Sequence, residues 1–165
     1  MADNRGMTLI ELLIVVSIIG ILVVVLGFQY AGWMGRYKVE TQVRAVYADL
    51  ADARLRAMQQ NMPYGINFAG DRYQVIRATD EAWTSFTGAP GWTTVKMLSP
   101  YQIPWTGMVV INTRGLVSPD GVTLRVTGWS TSNPPDYTCI LLGQTKINMG
   151  WTTPQNDISG QCIAK

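Results

Sequence analysis

From Met7 to Tyr30 the chain reads MTLIELLIVVSIIGILVVVLGFQY, with Glu11 as the only ionisable side chain in the run. About 24 residues of this kind are long enough to cross the hydrocarbon core of a bilayer as a helix. A secretory signal peptide would have a shorter apolar region and small residues at a cleavage site. Here Gly27, Phe28, Gln29 and Tyr30 follow and a helical pattern continues, so the segment is read as retained. A carboxylate near the middle of a membrane helix costs on the order of 2.5 to 3.5 kcal/mol on insertion scales, and Glu11 lies near one end, where the cost is smaller.

The apolar excess of the whole chain sits in that one block. Of 165 residues, 47% are apolar and 15% charged, a length with room for one domain and an appendage. Lys and Arg number 13 against 11 Asp and Glu. The resulting charge of +2 is spread without a dense basic run, which argues against a nucleic-acid partner. The chain has no His, which removes the commonest general base and metal ligand. No Gly-rich phosphate loop, metal-ligand cluster or nucleophile–base pair is recognisable, and Asp49, Asp52, Ser118 and Asp120 read as solvated surface or turn residues. The expectation is a protein that is not an enzyme, with no catalytic residue, cofactor or metal. Cys139 and Cys162 fit neither a CxxC redox motif nor a zinc pattern, leaving a structural disulfide as the favoured reading and two buried thiols as the alternative.

Beyond Tyr30 the apolar positions become periodic. Val39, Val43, Val46, Leu50, Ala53 and Ala57 step by four and three residues, one stripe of an amphipathic helix that stops at Asn61-Met62-Pro63. A single helix from Met7 to Asn61 would be roughly 80 Å long. Gly27, Ala31 and Gly35 recur at a spacing of four, which would let another helix approach closely. Strand-like runs follow at Tyr64 to Phe68, Arg72 to Arg77, Met108 to Asn112, Val122 to Thr127, Thr138 to Leu142 and Thr145 to Asn148. Gly70-Asp71 and Asp120-Gly121 supply turns, and residues 79–107 read as a long surface connection. In it Trp83, Trp92 and Trp105 either form a contact surface or, the preferred reading, pack onto their own domain. The fold predicted is α+β, an antiparallel sheet burying one face on the amphipathic half of the helix.

Residues 5 to 11, Arg5-Gly6-Met7-Thr8-Leu9-Ile10-Glu11, resemble the recognition sequence of prepilin peptidase in type IV pilins and type II secretion pseudopilins. The resemblance implies cleavage after Gly6, methylation of the new amino terminus on Met7, and an assembly role for Glu11, the fifth residue of the mature chain. It divides the chain into a leader peptide (1–6), a transmembrane and assembly helix (7–30), its amphipathic continuation (31–62) and a β-rich periplasmic domain (63–165). The implied partners are prepilin peptidase, the bacterial inner membrane, crossed once, and other pilin or pseudopilin subunits in a filament. Arg36, Lys38 and Arg44 outnumber Arg5, which alone would hold the C-terminal side in the cytoplasm, whereas the resemblance places the domain outside.

The segment Arg44 to Phe68 and the string Asn112-Thr113-Arg114-Gly115 look like parts of the GspH/FimT-type minor pseudopilins. A Cys139–Cys162 loop would also resemble the one in many major type IV pilins, and a DNA-binding competence pilin is a further alternative. In the GspH/FimT-type family the last strand commonly ends in glycine and arginine, and here Trp151 follows Gly150. The mature protein is expected to begin at Met7 with a methylated amine. Intact-mass measurement of native protein checks this, and a chain retaining MADNRG in cells with active prepilin peptidase would contradict it.

Overall fold

The computed structural model describes residues 7–78, 94–98, 101–129, 134–152 and 162–165; the side chains of 25, 26, 28–32, 94, 95 and 97 lie outside the description. One helix, α1, runs without a break over Leu9–Gln60. It ends where Asn61 takes a left-handed conformation at φ 51° and its N–H reaches the Ala57 carbonyl, a C-terminal cap that Asn tolerates better than most residues. Met62 donates to the same carbonyl, and Pro63 prevents continuation.

Among the described residues nine strands follow in two antiparallel sheets, where one sheet was expected. The first has the order β3-β2-β1-β4-β5, with β1 at Tyr64–Ala69, β2 at Arg72–Arg77, β3 at Thr94–Met97, β4 at Thr106–Ile111 and β5 at Val117–Ser118. The second is a meander, β6-β7-β8-β9, with β6 at Val122–Arg125, β7 at Cys139–Leu142, β8 at Ile147–Thr152 and β9 at Cys162–Ala164. The sheets meet where Val117 donates to the Gln144 carbonyl and Gln144 to Asp120 Oδ1, at 2.9 and 2.8 Å.

Residues 79–107 are not one long connection. Thr94–Met97 pairs antiparallel with β2, and Leu98 and Ile103 are buried in the core. The four residues of β3 stand in a stretch rich in Trp, Pro, Gly and Thr, and pairing with β2 is what reveals them as a strand. Trp83 and Trp92 lie outside the described residues. Trp105 packs edge-on against Phe68 at 5.7 Å between ring centroids, onto its own domain.

The stripe of α1 lies against both sheets. Val39, Val43, Val46, Leu50, Ala53 and Ala57 are each at most 1% exposed, and the helix touches β1 and β4 of one sheet and β7 and β8 of the other. Ile66, Phe68, Val109, Ile111, Leu124, Ile140 and Leu142 complete the core. The Asn112–Gly115 string is a turn docked on the end of the helix. Asn112 Oδ1 accepts the amides of Arg114 and Leu116, and Gly115 has φ +75°, a conformation that favours glycine, with a Cβ there 2.9 Å from Met58 Sδ, which would have to shift.

Asp49, read from sequence as solvated, instead ties the first sheet to the helix. Lys96 Nζ lies 2.6 and 2.7 Å from its two oxygens, and the Tyr73 hydroxyl donates to it. Burial, and then the Asp49 carboxylate, push the Tyr73 phenol well above its ordinary range. A phenol whose folded pKa is raised contributes stability that is complete below the unfolded value of about 10 and is lost as pH rises beyond it. Tyr73→Phe is expected to cost about 1.5 to 3 kcal/mol near neutral pH, the range for a hydrogen bond to a charged group. The difference between the two proteins should shrink above about pH 10. Thermal melting of both proteins in detergent across pH checks it.

Candidate functional site

The N-terminal end of α1 is closed by its own side chains. Thr8 sits in extended geometry as the N-cap, its Oγ1 accepting the Glu11 amide at 3.3 Å, and Glu11 Oε2 accepts the Thr8 amide and hydroxyl, each at 3.4 Å. This reciprocal capping satisfies backbone donors that a helix start leaves open and sets a carboxylate at the positive end of the helix dipole. Thr8 and Glu11 therefore read locally as a helix start. Met7 is 64% exposed beside them, and Gly6 and the rest of segment 1–6 lie outside the described residues.

Above the cap α1 has no domain around it. Every described side chain from Met7 to Val24 is exposed. Ser17 turns its hydroxyl back onto the Leu13 carbonyl at 2.8 Å, which satisfies that polar group within the helix. Among the described residues no helix is long and apolar enough to cross a membrane. The described side chains from Leu9 to Val24 cover a rise of about 24 Å, short of a hydrocarbon core of about 30 Å. Of the Gly27, Ala31, Gly35 spacing, Gly35 faces the protein's own domain. A Cβ at Gly35 would meet Tyr101 Oη of its own domain at 3.5 Å, one at Gly27 would meet nothing within 4 Å, and the Ala31 side chain lies outside the description.

Where the helix enters the domain, a polar clasp holds it. Arg36 reaches Glu40 at 3.1 Å and Asp136 at 2.5 Å, Glu40 accepts the Asp136 amide at 2.9 Å, and Lys165 Nζ lies 3.4 Å from Asp136. Arg44 and Lys165 both lie over the Tyr137 ring. Hydrogen bonding from Arg36 holds the Asp136 carboxyl below its usual range. A depressed pKa of this kind keeps the clasp intact at neutral pH and releases it as pH falls through the lowered value.

Cys139 and Cys162 form a disulfide with Cα atoms 6.1 Å apart. It joins β7 to β9, which are not neighbours, since β8 runs between them. Two strands separated by a third would ordinarily stand about 9 to 10 Å apart, beyond the usual reach of a disulfide. β7 and β9 therefore converge, and they do so over Gly150, which pairs with Cys139 on one side and Ala164 on the other. A Cβ there would lie 3.0 Å from Cys162 Sγ and would collide with the Ile163 carbonyl.

Residues 1–27 match the prokaryotic N-terminal methylation motif. The match supports a prepilin signal of the type IV pilin-like kind and implies processing by prepilin peptidase and assembly with other pilin subunits. No curated protein and no solved structure matches the chain.

The methylation motif lies on the exposed end of α1, whereas the disulfide lies within the second sheet. From Glu11 to Val39, where burial begins, the helix rises about 42 Å. The Glu11 carboxylate, to which the motif resemblance gives an assembly role, is here turned onto Thr8 of its own chain. Sequence reasoning missed Gly150 and the clasp. Gly150 stood out in the sequence only by the tryptophan after it, and its need for no side chain comes from a bond passing over it. Arg36 and Asp136 are separated by a hundred residues, so no local pattern joins them. Gly150→Ala is expected to cost about 1 to 3 kcal/mol, the range for overpacking. Thermal melting and thiol alkylation check it, with a lower midpoint and a larger fraction of free thiol than in the parent chain. Cys139→Ser with Cys162→Ser should cost about 3 kcal/mol by the chain-entropy estimate.

Proposed function

We propose that this protein is a structural subunit, a minor pilin or pseudopilin, of a type IV pilus or a type II secretion pseudopilus. The observation that carries the reading is that the methylation motif lies on a helix that continues unbroken from exposed apolar residues into the core of the domain. Such a rod can be held in an apolar surrounding at one end and carry a folded domain at the other. In this reading residues 1–6 are a leader removed after Gly6, and Met7 receives the methyl group. Residues 7–30 cross the inner membrane once before assembly, with the domain on the periplasmic side. The role is mechanical, with no reaction catalysed. The Asn112–Gly115 turn on the helix end and the Arg44 to Phe68 passage are the features that favour the GspH/FimT type. The Cys139–Cys162 disulfide favours a second reading, a major type IV pilin, and abundance in sheared filaments separates the two.

Assembly in this reading depends on Glu11. Removal of the leader leaves a positive amine at Met7, and among packed apolar helices neither that charge nor the carboxylate is stable alone. An amine of one subunit on Glu11 of the next gives a repeating head-to-tail contact and so an open helical assembly. The local capping by Thr8 is the competing arrangement: Thr8 supplies neutral donors, whereas a neighbouring amine supplies a charge. Removing one partner of a buried pair costs about 3 to 5 kcal/mol. Glu11→Ala is expected to leave cleavage and membrane insertion intact and to abolish incorporation into filaments, assayed by shearing and immunoblotting. Unchanged incorporation would restrict Glu11 to the helix cap.

A further inference from the structure

Trp33 and Tyr37 stand one turn apart on α1 with their rings stacked, centroids 6.0 Å apart and planes 21° from parallel. Both are more than half exposed, at 58% and 57%. Tyr37 is rotated by about 200° around the helix from Val39, the first residue of the buried stripe, so the pair faces away from the domain. Neither ring serves the core or the clasp.

Their position along the axis is informative. They follow directly on the apolar run that ends at Tyr30. From Glu11 to Trp33 the helix rises about 33 Å, against a hydrocarbon thickness of about 30 Å. The carboxylate and the aromatic pair therefore fall at opposite faces of a bilayer. Two cations flank Tyr37: Arg36 belongs to the clasp, and Lys38 is exposed, a cation suited to lipid phosphates. Trp and Tyr collect at headgroup level because each joins an apolar ring to one hydrogen-bonding group.

We propose that Trp33 and Tyr37 form an interfacial collar, seated in the lipid headgroup layer, that sets the depth at which the anchored subunit stops. The collar rests on the reading of residues 7–30 as a membrane span. It places Arg36 of the clasp at headgroup level and the start of the buried stripe just beyond it, so the core of the domain stands clear of the hydrocarbon.

The test uses the full chain in phosphatidylcholine–phosphatidylglycerol vesicles containing lipid brominated either near the headgroup or near the chain end. The protein holds six tryptophans, so Trp33→Phe, a change at an exposed position, isolates the contribution of Trp33. Shallow bromine is expected to quench part of the emission more than deep bromine, and Trp33→Phe should lose that difference while floating with vesicles as the parent does. Equal quenching of parent and Trp33→Phe in vesicle-bound protein would overturn the collar and leave the span standing. Stronger quenching by deep bromine would overturn the headgroup placement. A photoreactive side chain at position 33 that joins two copies, without quenching of Trp33, would assign the pair to a subunit contact and overturn the collar. Failure to float with vesicles would overturn the span itself, and the collar with it.

Discussion

One face of α1 holds the domain together. Val39, Val43, Val46, Leu50, Ala53 and Ala57 lie along it with almost no exposed surface, and the two sheets share that face. Burying a Val or Leu side chain contributes roughly 1.5 to 3 kcal/mol relative to exposure, so the stripe is a principal source of stability for both sheets at once. Its small members matter as much as its large ones. Ala53 and Ala57 are fully buried on the helix turns next to which the Asn112–Gly115 turn packs, with Gly115 at a positive φ against Arg54 and Met58.

Polar ties fix how the sheets sit on this stripe. Asp49 draws Tyr73 and Lys96, from β2 and β3, onto the helix. At the other end of the stripe Arg36 and Glu40 hold Asp136, whose second oxygen faces Lys165 at the C-terminus. The disulfide then joins β7 to β9 across Gly150. The last strand is thus held covalently to the sheet and by charge to the helix, close to the point where the helix leaves the domain. A force applied along α1 would enter the domain through the buried stripe and the clasp together.

The helix itself was legible residue by residue. Expected over Met7 to Asn61, it occupies Leu9–Gln60, and all six stripe positions are buried, because a period of 3.6 is a local property that survives whatever the chain packs against. β1 and β2 were legible for a similar reason, being short alternating runs joined by Gly70-Asp71. β3, β5 and β9 were not, although the four-residue β6 and β7 were: β5 and β9 have two and three residues, too few alternations to register, and β3 stands in a stretch rich in Trp, Pro, Gly and Thr. β4 and β8 were placed with shifted ends. The division into two sheets was also beyond the sequence, because pairing depends on register between segments far apart in the chain.

At the candidate site the division is the same. The sequence by itself determined the motif, the apolar run and the position of Glu11, because recognition by a peptidase and capping of a helix are both read from adjacent residues. It named Cys139 and Cys162 but not the strand they bridge. Only the tertiary structure decided that Gly150 must lack a side chain, that Asp49 is a tie rather than a solvated charge, and that Arg36 meets Asp136. Each of these follows from backbone segments brought within a few ångströms of one another by burial of the stripe, and close approach between distant segments leaves no periodic signal in either of them.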